Sequence, residues 1–332
     1  MTRITGKQAQ TDADSTCAPF FVIGSVRSGT TLVERILNRH TRLFMPAETF
    51  YFTFLDRLGV LGSEGEPEIE LNRVVQLYRR ERAFCFLDIP PGREEEILLE
   101  GARSYRDILF NLMTFLSGRA EKPRWGEKTP NNLRYVRYIR QYFPDARFIL
   151  VVRDGRASLL SRLKHPNWRR NLLGCARHWA NDASVMLSLI NELDDSTLHV
   201  LRYEELLEDP KQVVHDTCAF LGEAYEEAMI EPQQADGDQS RDYYKQPWMK
   251  KSTTVIDPTR ATQWEQEYTP RQLRLVEVVA GEQLKALGYP LKCPAAPGWQ
   301  LLYLSEQFQD VARKFSNLIN GRQKPVAAAR AR

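Results

Sequence analysis

Apolar residues fall into two rhythms along this chain. Short unbroken runs at Phe20–Ile23, Leu43–Met45, Phe148–Val152 and Thr197–Leu201 have the length and composition of buried strands. Between them the period lengthens to that of a helix. Leu32, Val33, Ile36 and Leu37 share one helical face, and Ser104 to Gly118 reads as an amphipathic helix. Pro130 to Phe143 predicts a helix with Thr129 as N-cap and Pro130 at its first position. Helices follow the 147–152 strand as far as about 193, with Trp168 and Trp179 as core. Two more span Lys211–Leu221 and Arg271–Leu287, the latter stopped by Gly288 and Pro290. Strands alternating with helices predict an α/β protein, a parallel sheet with helices on both faces.

Segmentation follows the same pattern. Residues 1–18 read as a flexible leader, 19–292 as the main domain, and 293–332 as a C-terminal helix (about 301–320) with a basic tail. Within the domain, 51–121 is a helical insertion that either shapes an acceptor pocket or simply caps the sheet. Residues 231–262, rich in Gln, Asp and Lys, read as a mobile loop.

Composition narrows the class. The 332 residues carry a net charge of +3, too small to imply nucleic acid. Five cysteines are scattered without a C-x-x-C pair, and five histidines show no ligand spacing, so no structural metal is expected. The polar start does not read as a signal peptide, and no run reaches transmembrane length. These features predict a cytoplasmic protein.

Chemistry concentrates in two places. After the first strand, Gly24-Ser-Val-Arg-Ser-Gly-Thr-Thr31 makes a glycine-flanked loop into a helix, which aims backbone N–H groups at an anion. The loop nearly fits the triphosphate pattern, but Thr30 stands where that pattern needs lysine. Arg27, Ser28, Gly29, Thr30 and Thr31 suit a smaller anion held without a required metal. A divergent P-loop kinase and a non-catalytic nucleotide-binding protein remain alternatives. The second place is Arg153, at the carboxyl end of the 147–152 strand, with Ser161 on the helix begun by Asp154 or Ala157.

With both elements in order, the sequence resembles the sulfotransferases that use 3′-phosphoadenosine 5′-phosphosulfate (PAPS), over most of residues 20–290. The resemblance implies a three-layer α/β/α P-loop-like fold and transfer of a sulfuryl group to a hydroxyl, with adenosine 3′,5′-bisphosphate (PAP) as product. In that family the first loop holds the 5′-phosphosulfate, and a strand-end arginine with a serine such as Ser161 holds the 3′-phosphate. Arg27, the Arg153-Asp-Gly-Arg-Ala-Ser158 run, Trp125-Gly-Glu-Lys-Thr-Pro130 and Arg202-Tyr-Glu-Glu-Leu206 resemble the tyrosylprotein and bacterial branch.

The same resemblance suggests roles. Glu48, in a Glu-Thr pair at the family's distance from the loop arginine, matches the proposed general base, with a structural ion pair as its other reading. His40 is the lesser rival. Lys128 matches a lysine that faces the sulfuryl group and the bridging oxygen. Ser252 resembles a serine that closes over the donor, and Tyr203 a tyrosine near the nucleotide. One departure is Gln263 before Trp264, where the tyrosylprotein enzymes have lysine; Arg260 is the candidate replacement. The expected partners are a nucleotide donor and an acceptor hydroxyl on a small molecule, lipid, glycan or tyrosine.

Overall fold

Strand residues alternate between two cores. In β1 (Phe20–Gly24) and β4 (Arg147–Val152), Phe21, Ile23, Phe148 and Leu150 face one apolar cluster. Phe20, Val22, Ile149 and Val151 face the other. A strand buried on both faces needs apolar residues at every position, which is why these runs are unbroken. Together with β2 (Leu43–Phe44), β3 (Arg124–Glu127) and β5 (Leu198–Arg202), they form an all-parallel sheet in the order β2-β3-β1-β4-β5. The fold is the three-layer α/β/α arrangement. It was obtained as a computed structural model, which describes residues 18–62, 69–165, 171–231 and 256–293.

The helices follow in chain order. They are α1 (Thr30–Asn38), α2 (Tyr51–Leu58), α3 (Leu71–Tyr78), α4 (Glu94–Leu99), α5 (Tyr105–Arg119) and α6 (Val136–Tyr142). Then come α7 (Gly155–Leu163), α8 (Leu172–Glu192), α9 (Tyr203–Glu208), α10 (Pro210–Leu221) and α11 (Pro270–Ala286). Helices α1 and α10 supply apolar residues to one cluster; α2, α5, α8 and α11 supply the other. Ser104 and Asp107 form a reciprocal capping box at the start of α5. Asp154 caps α7 by accepting from the Arg156 N–H at 2.8 Å.

Two expectations need correction. The predicted 130–143 helix is broken: Pro130–Arg134 is a 3-10 turn, and α6 starts only at Val136. Thr129 does not cap it, because its hydroxyl donates to Glu127 at 2.6 Å instead. Strand β3 was not expected at all. Its Arg-Trp-Gly-Glu has no apolar alternation, yet all four residues are buried. Gly126 is required because a Cβ there would stand 2.3 Å from the Phe20 ring of the neighbouring strand.

The leader to residue 17, Trp168, most of the 231–262 loop and the C-terminal helix and tail lie outside the described residues. Among the described residues, no helix is long and apolar enough to cross a membrane.

On β5, His199 stacks against Phe220 at 5.3 Å, and its ring nitrogen faces the Thr217 hydroxyl at 3.2 Å. Burial pushes its imidazole below the ordinary value of 6.5, only partly offset by the Asp216 charge. The unfolded chain therefore binds more protons than the folded one between 6.5 and the depressed value. Stability is expected to fall as pH drops through that window, and His199→Gln to flatten the slope. Melting curves from pH 7 downward test this; an identical slope in the variant refutes the assignment.

Candidate active site

All five strands end in a residue singled out by the sequence. The chain leaving β2 carries Glu48, and Lys128 follows β3 directly. Arg27 lies beyond β1, Arg153 follows β4, and Tyr203 follows β5. The sheet order therefore sets them side by side as Glu48, Lys128, Arg27, Arg153 and Tyr203. This is the carboxyl edge, where open α/β sheets bind ligands, and the strand order reverses at β1. A cleft of about 540 Å³ opens there. Its lining includes Arg27, Gly29, Thr30, Thr31, Glu48 and Arg153, and also Ser161 and Tyr203.

The loop between β1 and α1 is shaped by two left-handed residues, Arg27 (φ 73) and Gly29 (φ 105). Gly29 is doubly constrained, since a Cβ would also come within 2.2 Å of the Tyr203 ring. Tyr203 thus forms a wall against the loop, and the Arg153 guanidinium stacks on its ring at 4.2 Å.

The two motifs meet through hydrogen bonds. Arg27 Nε donates to Ser161 Oγ at 3.1 Å, and Arg153 Nη1 donates to the Arg27 carbonyl at 3.1 Å. Arg153 Nη2 donates to the Arg260 carbonyl at 3.2 Å, and Arg260 lines the cleft. Ser28 Oγ and Arg153 Nε in this region are buried without a hydrogen-bond partner. Buried donors are normally paired, so these two suit an anionic ligand. His165 lines the same cleft; burial, with the nearby Arg27 charge, pushes its imidazole below the ordinary value.

Sequence reading missed the anchor beneath the loop. Asp182 on α8 is buried and accepts from Ser25 Oγ at 2.7 Å and from Arg134 Nη2 at 2.5 Å. Arg162 reaches the same carboxylate at 3.3 Å while its Nε donates to the Val26 carbonyl at 3.0 Å. The i, i+20 relation between Arg162 and Asp182 leaves no local signal to find.

Lys128 has no exposed side-chain surface. Its Nζ is 2.6 Å from Glu48 Oε1 and 3.0 Å from Glu34 Oε2 on α1. Glu34 is also fully buried, whereas Glu48 keeps 17 % exposure and reaches the cleft. The ion pair foreseen as Glu48's other reading is thus present, with Lys128 as partner.

One residue earlier, Glu127 binds the two segments together. It accepts from Thr49 Oγ1 at 2.8 Å, from the Thr49 N–H at 3.3 Å and from Thr129 Oγ1 at 2.6 Å. Asn132 Nδ2 also donates to it. Burial raises the Glu127 carboxyl above its ordinary range, and the hydroxyl donors partly counter this. Tyr78 on α3 donates to the Thr49 carbonyl at 2.8 Å, tying the same segment to the helical insertion.

His40 is not in the cleft lining. Its Nδ1 accepts from the Arg42 N–H at 3.0 Å and its Nε2 donates to the Ala224 carbonyl at 2.8 Å, so both ring nitrogens are engaged structurally. Ser252 lies outside the described residues.

A model of the sulfotransferase family matches residues 19–227, more than half of the chain. The chain belongs to the sulfotransferase family. It is 24% identical over 237 residues to protein-tyrosine sulfotransferase A of Caenorhabditis elegans, a match covering 68% of this chain and 56% of that protein. It is 25% identical over 233 residues to protein-tyrosine sulfotransferase 2 of Gallus gallus, covering 66% and 55%. The chain thus spans a little over half the length of these relatives. Among solved structures, the sulfotransferase domain of the Synechococcus PCC 7002 olefin synthase superposes with a TM-score of 0.57. That match has 22% identity and covers 83% of this chain and 97% of that one, which establishes a shared fold.

Proposed function

We propose that this member of the family moves the sulfuryl group of PAPS to an acceptor hydroxyl, with Glu48 as general base. The observation that carries the reading is the joining of both anion motifs in one cleft, through Arg27 to Ser161 and Arg153 to the Arg27 carbonyl. The unpartnered Ser28 Oγ and Arg153 Nε supply donors aimed at no protein acceptor.

In this reading the 5′-phosphosulfate rests on the loop from Arg27 to Thr31. The 3′-phosphate rests on Arg153 and Ser161, and Tyr203 backs the nucleotide. The acceptor approaches from the Glu48 side, where the insertion carrying α2 to α5 packs. As the acceptor oxygen bonds to sulfur, the bond from sulfur to the 5′-phosphate oxygen breaks and PAP leaves. The acceptor proton passes to Glu48. Lys128, a compact buried cation, meets the charge that develops on the leaving phosphate. Holding donor and base on neighbouring strand ends orients the groups before reaction.

Calorimetry of PAP against ATP, with and without Mg²⁺, tests the donor class. PAP is expected to bind without metal. Loss of charge-assisted hydrogen bonds worth about 1.5–3 kcal/mol in Arg153→Ala weakens it roughly 10- to 150-fold. Preference for ATP with Mg²⁺ would overturn the proposal in favour of phosphoryl transfer.

A further inference from the structure

Lys128 is held by two carboxylates, and only one of them reaches the cleft. Nζ contacts Glu48 Oε1 at 2.6 Å and Glu34 Oε2 at 3.0 Å. Lys128 and Glu34 are sealed from solvent, while Glu48 is partly exposed. Glu34 projects from α1, one turn after Thr30 of the anion loop, so it is fixed to the same rigid element as the donor site. We infer that Glu34 is a positioning residue: the permanent counter-ion that keeps Lys128 charged and aimed while Glu48 gains and loses a proton.

The argument rests on what a buried ammonium tolerates. A charge removed from water without a partner costs several kcal/mol, and it sheds its proton instead. If Glu48 alone paired with Lys128, each proton accepted by Glu48 would leave the ammonium without an anion, just when the leaving phosphate needs it. A second carboxylate that never meets the acceptor removes this conflict. Glu127 feels the Lys128 charge, but its oxygens accept from Thr49, Thr129 and Asn132, so it adds to the field without being one of the two carboxylates on Nζ. The Arg27 side chain, the nearest cleft arginine in sheet order, is turned to Ser161.

The inference rests on the PAPS reading for its chemical meaning, but its physical core can be measured without a donor. Chemical denaturation of wild type, Glu34→Gln, Glu48→Gln and the double variant forms a thermodynamic cycle. Each single variant leaves one of the two carboxylates in contact with Lys128 Nζ; the double removes both contacts. The double variant is expected to lose much more stability than the two singles summed, to the point of not folding. Adding Lys128→Met should restore a cooperative transition, because the buried charge that lost both contacts is gone. Additive losses, or no rescue by Lys128→Met, overturn the inference.

The second measurement separates positioning from packing. In Glu34→Gln, Lys128 keeps Glu48 but loses its anchor on α1. Single-turnover PAPS consumption should then fall about tenfold with PAP affinity unchanged, and Glu34→Asp should recover part of the rate. A wild-type rate in Glu34→Gln means that Glu34 only fills space. Failure of the wild type to bind PAP would refute the donor assignment, while the stability cycle would still decide the counter-ion role.

Discussion

Glu48→Gln is expected to slow PAPS-dependent transfer by about 10²- to 10⁴-fold, the usual worth of a positioned general base. Glutamine keeps the side chain's shape and a hydrogen-bond acceptor for Lys128, but it cannot take a proton. Glu34 remains on the ammonium at 3.0 Å, so the fold is expected to survive the change. PAP binding, which the proposed function assigns to the loop and Arg153, should be unaltered. The measurement is single-turnover decay of PAPS with each acceptor of a hydroxyl panel, alongside PAP calorimetry. If turnover stays at the wild-type rate while PAP still binds, Glu48 serves only the ion pair. If PAP binding is lost as well, the substitution has disturbed the loop, and the base assignment is not supported.

Glu127→Ala is expected to be the most damaging single change to the site's architecture. The lost carboxylate leaves the Thr49 hydroxyl and N–H, the Thr129 hydroxyl and the Asn132 amide without their acceptor. A buried polar group without a partner costs about 1–3 kcal/mol, so a total of about 3–6 kcal/mol is expected once neighbours relax. Thermal or denaturant unfolding measures this directly. Glu127→Gln keeps one acceptor oxygen and should recover about half of the loss. A loss under about 1 kcal/mol in the alanine variant would mean that water or rearrangement satisfies those donors, and the clamp would have no energetic standing. Turnover should fall with stability in this case, because Thr49 and Thr129 adjoin Glu48 and Lys128.

The contrast between Glu48 and Glu127 shows what was legible in the sequence. Strands β1, β4 and β5 announced themselves as apolar runs, and the glycine-flanked loop and strand-end arginine stood out as candidate anion-binding groups. Those features are local: a few consecutive residues carry the physical requirement. Strand β3 was not legible, because Arg124 and Glu127 are buried through partners far along the chain. Arg124 donates to the carbonyls of Ala18 and Leu221, and no window of neighbouring residues contains those acceptors. The predicted helix from Pro130 failed for a related reason. Thr129 and Asn132 both turn to Glu127, and this long-standing competitor for side-chain hydrogen bonds broke the expected helix start. Glu34 carries no local signal beside Leu32, Val33, Ile36 and Leu37. Its burial follows from Lys128, which arrives from a different strand.

The contact from Tyr78 to the Thr49 carbonyl bears on how acceptor preference can be changed in this scaffold. On the proposed function, exchanging the α2–α5 segment is the direct way to alter acceptor choice, yet that segment also holds the backbone beside Glu48. Tyr51 adds a second tie, its hydroxyl donating to the Tyr105 carbonyl within the same segment. A chimera that replaces the segment but omits a tyrosine at position 78 would carry a new wall and a loosened Glu48, the proposed base. Its defect would appear in turnover with every acceptor offered, and would be mistaken for poor recognition. Grafts that retain Tyr51, Tyr78 and Tyr105 would allow selectivity to be altered independently of reactivity.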